Sequence, residues 1–70
     1  MMKYHDEVIK VRDVRPGDLT NWYLNRPCSI VLESERVGPR VRLTILLTNG
    51  KVTTTTQYSR SPFSVVQFHG

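Results

Sequence analysis

The side chains best suited to acid–base, nucleophilic or metal chemistry in this sequence are His5, Asp6, Cys28 and His69. A zinc site gathers its ligands at short, repeated spacings. These residues are scattered, so no metal is expected. A cysteine nucleophile needs a base within hydrogen-bond reach. Cys28 falls in phase with Ile30 and Leu32 in an alternating run, where a buried small apolar side chain is the expected role. His5 and His69 lie near the two ends of the chain, and chain ends often sit close together; exposed terminal histidines are the expectation. Glycines 17, 38, 50 and 70 are explained by turns and the terminus, which leaves no glycine-rich phosphate cradle. No catalytic residue, cofactor or small-molecule substrate is therefore expected, and the chain reads as non-enzymatic.

Contact chemistry is better represented. The segment NWYLNRP, Asn21 to Pro27, sets Trp22 and Tyr23 beside Arg26. An exposed Trp, Tyr and Arg together is the composition of a protein-interface hot spot. The same trio can stack the bases of single-stranded nucleic acid. The structural alternative is a single helical turn whose Trp22 closes one end of a small core. Adjacent aromatics in a loop rarely both point inward, so one of the two is expected at the surface.

Charge points the same way. The net charge is +4 and the pI about 9.7. Every acid (Asp6, Glu7, Asp13, Asp18, Glu33, Glu35) lies before residue 36, and the rest of the chain carries Arg36, Arg40, Arg42, Lys51 and Arg60 with no acid. Such asymmetry hints at an acidic partner.

The elements that must hold these groups read as strands. Val, Ile and Thr dominate the middle of the chain, and β-branched residues fit a pleated surface. RVRLTILLTNGKVTTTTQYS places Asn49-Gly50 between two strand-like runs, the strongest short hairpin signal. A two-residue type I′ loop sets Leu47 against Val52, Ile45 against Thr54, Leu43 against Thr56 and Val41 against Tyr58. Val41, Leu43, Ile45, Leu47, Val52 and Tyr58 then share a core face, opposite Arg40, Arg42, Thr44, Thr53, Thr55 and Gln57. In the preceding run, Cys28, Ile30 and Leu32 are expected inward, with Ser29, Val31 and Glu33 outward and Gly38-Pro39 as the turn. With Ile30 against Ile45 and Leu32 against Leu43, Glu33 is set against Arg42 and Glu35 against Arg40.

At the start, Ile9 and Val11 alternate, but Val14 follows Val11 by three residues. The break signals a bulge or the end of a ladder. In Arg15-Pro16-Gly17-Asp18, proline presets φ and glycine supplies a positive φ, which predicts a type II turn flanked by inward Val14 and Leu19. Ser61 to Ser64 reads as a tight, 3₁₀-like turn before a short strand from Val65 to Phe68.

Five short strands, a long first loop (Asp18 to Pro27), two tight hairpins and a turn before the last strand resemble an SH3-like small barrel. The fold class expected is all-β, a five-stranded, partly open SH3-like barrel occupying residues 1–70 as one domain. The opening strand followed by Pro-Gly-Asp and an apolar residue, Arg15 to Leu19, resembles small barrel proteins of actinobacteria and their phages. It is similar as well to the start of self-splicing Hint domains. Those carry a Cys or Ser at their first position and His-Asn at their last. This chain opens Met1-Met2-Lys3 and closes His69-Gly70, so splicing is not expected.

No apolar stretch is long enough to cross a bilayer, the first ten residues lack the apolar segment of a secretory signal, and Cys28 has no second cysteine to pair with. A cytoplasmic protein is expected. Its partner is expected to be another protein or a second copy, bound through Trp22, Tyr23 and Arg26 and an exposed strand edge. Nucleic acid is the alternative, with contacts at Arg36, Lys51 and Arg60. If Glu33 and Glu35 neutralise Arg42 and Arg40, those three cations form no continuous stripe, and nucleic-acid binding is expected to be weak.

Overall fold

The computed structural model of the chain describes residues 3–21 and 29–69. Its strands are β1 (Lys3–Lys10), β2 (Leu19–Thr20), β3 (Ser29–Val37), β4 (Arg40–Leu46), β5 (Val52–Tyr58) and β6 (Pro62–His69). They form one antiparallel sheet in the order β1-β6-β2-β3-β4-β5, with β1 and β5 outermost. The all-β expectation holds. Among the described residues there are six strands rather than five, because Leu19–Thr20 pairs with both β3 and β6. Among the described residues no helix is long and apolar enough to cross a membrane.

The break after Val11 is a 3₁₀ turn, Val11–Asp13, and it buries both Val11 and Val14. Pro16-Gly17 reverses the chain as expected: Gly17 has φ 95°, and the Asp18 N–H donates to the Arg15 carbonyl at 3.1 Å. The Asp18 carboxylate accepts from the Arg15 N–H at 2.9 Å, which locks the turn. The turn then docks on β3, where the Gly17 N–H donates to Val31 and the Val31 N–H to Asp18, both at 2.8 Å.

Two registers differ from the sequence reading. The β4–β5 loop has three residues, not two. The Gly50 N–H donates to the Leu47 carbonyl at 3.0 Å, the Leu47 N–H donates to the Lys51 carbonyl at 2.8 Å, and Gly50 takes φ 85°. This is a tight turn followed by a glycine bulge. It sets Leu46 against Val52, Ile45 against Thr53, Leu43 against Thr55 and Val41 against Gln57. A one-residue slip turns a whole strand over. Thr53, Thr55 and Gln57 thus lie half-buried on the core face, while Val52 and Tyr58 stand in solvent at 57% and 58% exposure.

β3 is inverted at its start as well. Ser29 and Val31 are buried and Leu32 is exposed, the reverse of the expected phase. Leu32 is an extra residue between the Val31–Ile45 and Glu33–Thr44 pairs. Odd-numbered residues must face the core before it (Val31) and solvent after it (Glu33, Glu35), and only a bulge reconciles the two. The last strand begins at Pro62, not Val65, because the tight turn falls earlier: the Ser61 N–H donates to the Tyr58 carbonyl at 2.9 Å. Proline suits a strand's first position, and the longer strand buries Phe63.

One core results, made of Val11, Val14, Val31, Val41, Leu43, Ile45, Leu47, Phe63 and Val65 with Ile9 packed against it. It anchors β4 firmly and leaves the far side of β5 to solvent.

Candidate functional site

β5 carries the sequence VTTTTQY and pairs only with β4 among the described residues. The phase of its backbone follows from two bonds. The Leu47 N–H donates to Lys51 at one end of the pairing, and the Ser59 N–H donates to Pro39 at the other. Antiparallel pairs alternate between bonded and non-bonded. Thr53, Thr55 and Gln57 therefore direct their backbone groups at β4. Val52, Thr54, Thr56 and Tyr58 direct theirs away from it, along an open edge. The side chains of those same residues are exposed on the outer face.

The outer face is ordered in rows by the pairing. Val37, Arg40 and Tyr58 make one row; Glu35, Arg42 and Thr56 the next; Glu33, Thr44 and Thr54 the third; Ile30, Leu46 and Val52 the last. Arg42 forms an ion pair with Glu35. This corrects the expected pairing. Glu33 faces Thr44 rather than Arg42, and Arg40 faces Val37 rather than Glu35, because the turn is confined to Gly38-Pro39 and pairs Val37 with Arg40 directly beside it. Arg40 instead lies over the Tyr58 ring at 4.7 Å from its centre and donates to the Tyr58 hydroxyl at 3.2 Å. A guanidinium on an aromatic face is held by the ring quadrupole, so Tyr58 has a fixed orientation at the end of the edge.

Of the expected nucleic-acid contacts, Arg36 and Arg60 come to one end of the molecule. The Ser59 N–H donates to the Pro39 carbonyl, and the Arg12 N–H donates to the Ser59 carbonyl. These bonds gather the β3–β4 turn, the β5–β6 turn and the 3₁₀ segment, and with them exposed Arg12, Arg36, Arg40 and Arg60. The Arg36 Nε donates to the Gly38 carbonyl at 3.3 Å. Lys51 sits at the opposite end of the β4–β5 hairpin, about 23 Å away for seven strand residues. Trp22, Tyr23, Arg26 and Cys28 lie outside the described residues. His5 faces Gln67, and the backbone of His69 faces Lys3.

Among the described residues there is no enclosed pocket and no cluster of three metal-ligating side chains. Sequence reasoning missed Val52, Thr54, Thr56 and Tyr58 as surface residues, and Arg12 and Arg40 as members of a cluster. The signal was present: Thr48-Asn49-Gly50 fits a three-residue loop with a left-handed glycine as well as Asn49-Gly50 fits a two-residue one. No known protein family, curated protein or solved structure matches the chain.

Proposed function

We propose that the chain is a non-enzymatic interaction module that docks a partner protein along the open edge of β5. The observation that carries this reading is an uncharged, β-branched strand whose outward backbone groups have no strand beside them among the described residues. Sheets protect such edges with charge, proline or a covering element, and a partner strand satisfies the same groups by β-augmentation. Trp22, Tyr23 and Arg26, by their residue types, are the side-chain contacts expected of such a module. In architecture the sheet is read as an SH3-like small barrel left open, of the kind carried by actinobacteria and their phages. The bonds from Arg12 to Ser59 and from Val11 to Ser61, which draw the end of β1 towards the end of β5, support that reading.

The test is affinity capture from host lysate with the wild type and Thr54→Pro. The Thr54 N–H faces the open edge, so proline blocks pairing there without removing a β4 bond. A partner held by the wild type and lost by Thr54→Pro supports the reading; equal capture contradicts it.

A second reading has one observation in its favour. Arg12, Arg36, Arg40 and Arg60 share one end, and among the described residues Arg40 has no carboxylate partner, unlike Arg42. Such an end suits a polyanion. The cluster is short and Lys51 is remote from it, so binding is expected to be weak at physiological salt. Titration with labelled single- and double-stranded nucleic acid at two salt concentrations decides: tight binding that falls steeply with salt favours this reading over the first.

A further inference from the structure

We infer that the partner strand of β5 is β5 of a second copy, paired antiparallel about a two-fold axis at Thr55. The inference rests on the reading of β5 as a docking edge and adds the occupant. Val52, Thr54, Thr56 and Tyr58 offer backbone groups outward. An antiparallel two-fold at Thr55 sets Val52 against Tyr58 of the second copy, and Thr54 against Thr56. In this register Thr54 and Thr56 exchange two bonds at each facing, and the Tyr58 N–H meets the Val52 carbonyl, while the Tyr58 carbonyl already accepts the Ser61 N–H of its own chain. The two large exposed side chains stand at equal distances from Thr55 on the same face. Each therefore meets the other across the seam as an aromatic–β-branched pair, a favourable cross-strand combination. Tyr58 arrives already held by Arg40. On the inner face Thr55 meets itself, and Thr53 meets Gln57.

Charge agrees with this occupant. β5 has no ionisable residue but Tyr58. Beyond its ends the same register places Lys51 against Ser59 and Arg60 against Gly50, so no two cations face each other. The other open edge behaves differently. The Val11 N–H donates to the Ser61 carbonyl, which extends the β1–β6 ladder and leaves Tyr4, Asp6, Val8 and Lys10 directed outward. A two-fold that pairs all of them falls on Glu7 and opposes it to itself. Like charges directly opposite destabilise a strand pair. β5 is thus the edge that is complementary to itself. A contact of one strand pair lies at the low end of specific interfaces, so the dimer forms in a concentration-dependent way.

Sedimentation velocity of the purified full chain, from about 10 μM to about 1 mM, tests the inference, with circular dichroism melting to establish the fold of each variant. The wild type is expected to pass from monomer to dimer, and Thr54→Pro to stay monomeric with its melting transition kept. Thr54→Lys combined with Thr56→Lys sets like charges across the seam and weakens the dimer by about tenfold. Thr54→Lys combined with Thr56→Glu sets opposite charges there and restores it. A wild type that is monomeric throughout overturns the second copy as occupant, leaving the docking edge to be decided by the capture experiment. A folded Thr54→Pro that dimerises like the wild type overturns both. If Thr54→Pro fails to fold, the charged pairs decide alone: equal association of the two double variants overturns the register at Thr55.

Discussion

The two outermost strands of the sheet make an instructive pair. β1 and β5 each turn one row of backbone groups away from the sheet, and among the described residues each pairs with a single strand, β6 or β4. β1 interleaves its apolar residues with Lys3, Asp6, Glu7 and Lys10, and Asp6 accepts a hydrogen bond from the Asn21 side chain at 3.1 Å. β5 carries threonines, Val52, Gln57 and Tyr58. Desolvating the β1 edge against another strand strands charges; desolvating the β5 edge does not. The same backbone pattern is therefore protected at one end of the sheet and presented at the other. Edge chemistry, not strand propensity, makes the difference.

The largest effect expected separates the face of β5 that meets the core from the one that does not. Leu43→Ala, beneath β5 and fully buried, should cost about 2–5 kcal/mol. Val52→Ala should change stability by less than about 0.5 kcal/mol, as exposed substitutions do. Urea unfolding measures both. A Val52→Ala cost near that of a core valine would restore the two-residue loop and remove Val52 from the edge.

Backbone direction is the next test. Thr55→Pro removes an N–H directed at β4 and leaves its carbonyl partner unmet, at about 1–3 kcal/mol. Thr54→Pro removes only an outward N–H and should cost much less. Thermal melts of the two variants that coincide would contradict the alternation on which the edge depends.

The loop comes third. Gly50 takes φ 85°, so Gly50→Ala should cost about 1–2 kcal/mol. The Asn49 side chain accepts the Lys51 N–H at 3.0 Å, and Asn49→Ala loses about 0.5–1.5 kcal/mol with that bond. The glycine replacement should be the more damaging of the two in chemical denaturation. The reverse order would point to a loop in which Asn49 carries the strain.

Smallest in free energy is the protection of β1. Glu7→Gln removes the like charge from its two-fold position, worth about 0.2–1 kcal/mol. With β5 already paired, an opened β1 edge extends dimers into longer assemblies, so the variant should sediment with larger species at high concentration. An unchanged distribution would mean that something other than Glu7 guards this edge.

Much of this architecture was legible in the residues. Alternation gave the buried face of β4, Val41, Leu43 and Ile45, and Pro16-Gly17 gave its turn type, because local chemistry alone decides both. What failed was phase. Leu32 and Gly50 are each an extra residue in a ladder, and period-2 reasoning cannot see an insertion that tertiary packing imposes. Gly50 moves Val52 and Tyr58 from the core face to solvent, and Leu32 turns the start of β3 over. The Gly38-Pro39 turn, shorter than the alternation implies, gives Glu35 to Arg42 and Glu33 to Thr44. Trp22, Tyr23 and Arg26 are distinctive by residue type alone. The edge is built from ordinary threonines, and only their backbone direction marks it.

Residue-resolved amide hydrogen exchange along β5, as a function of protein concentration, tests the central claim most directly. In dilute solution Thr53, Thr55 and Gln57 should exchange slowly and Thr54 and Thr56 fast, since only the former donate to β4. As the concentration rises to about 1 mM, Thr54 and Thr56 should become protected while their neighbours change little. Protection of Thr54 and Thr56 in dilute solution, unaltered by concentration, would contradict the open edge and the second copy together.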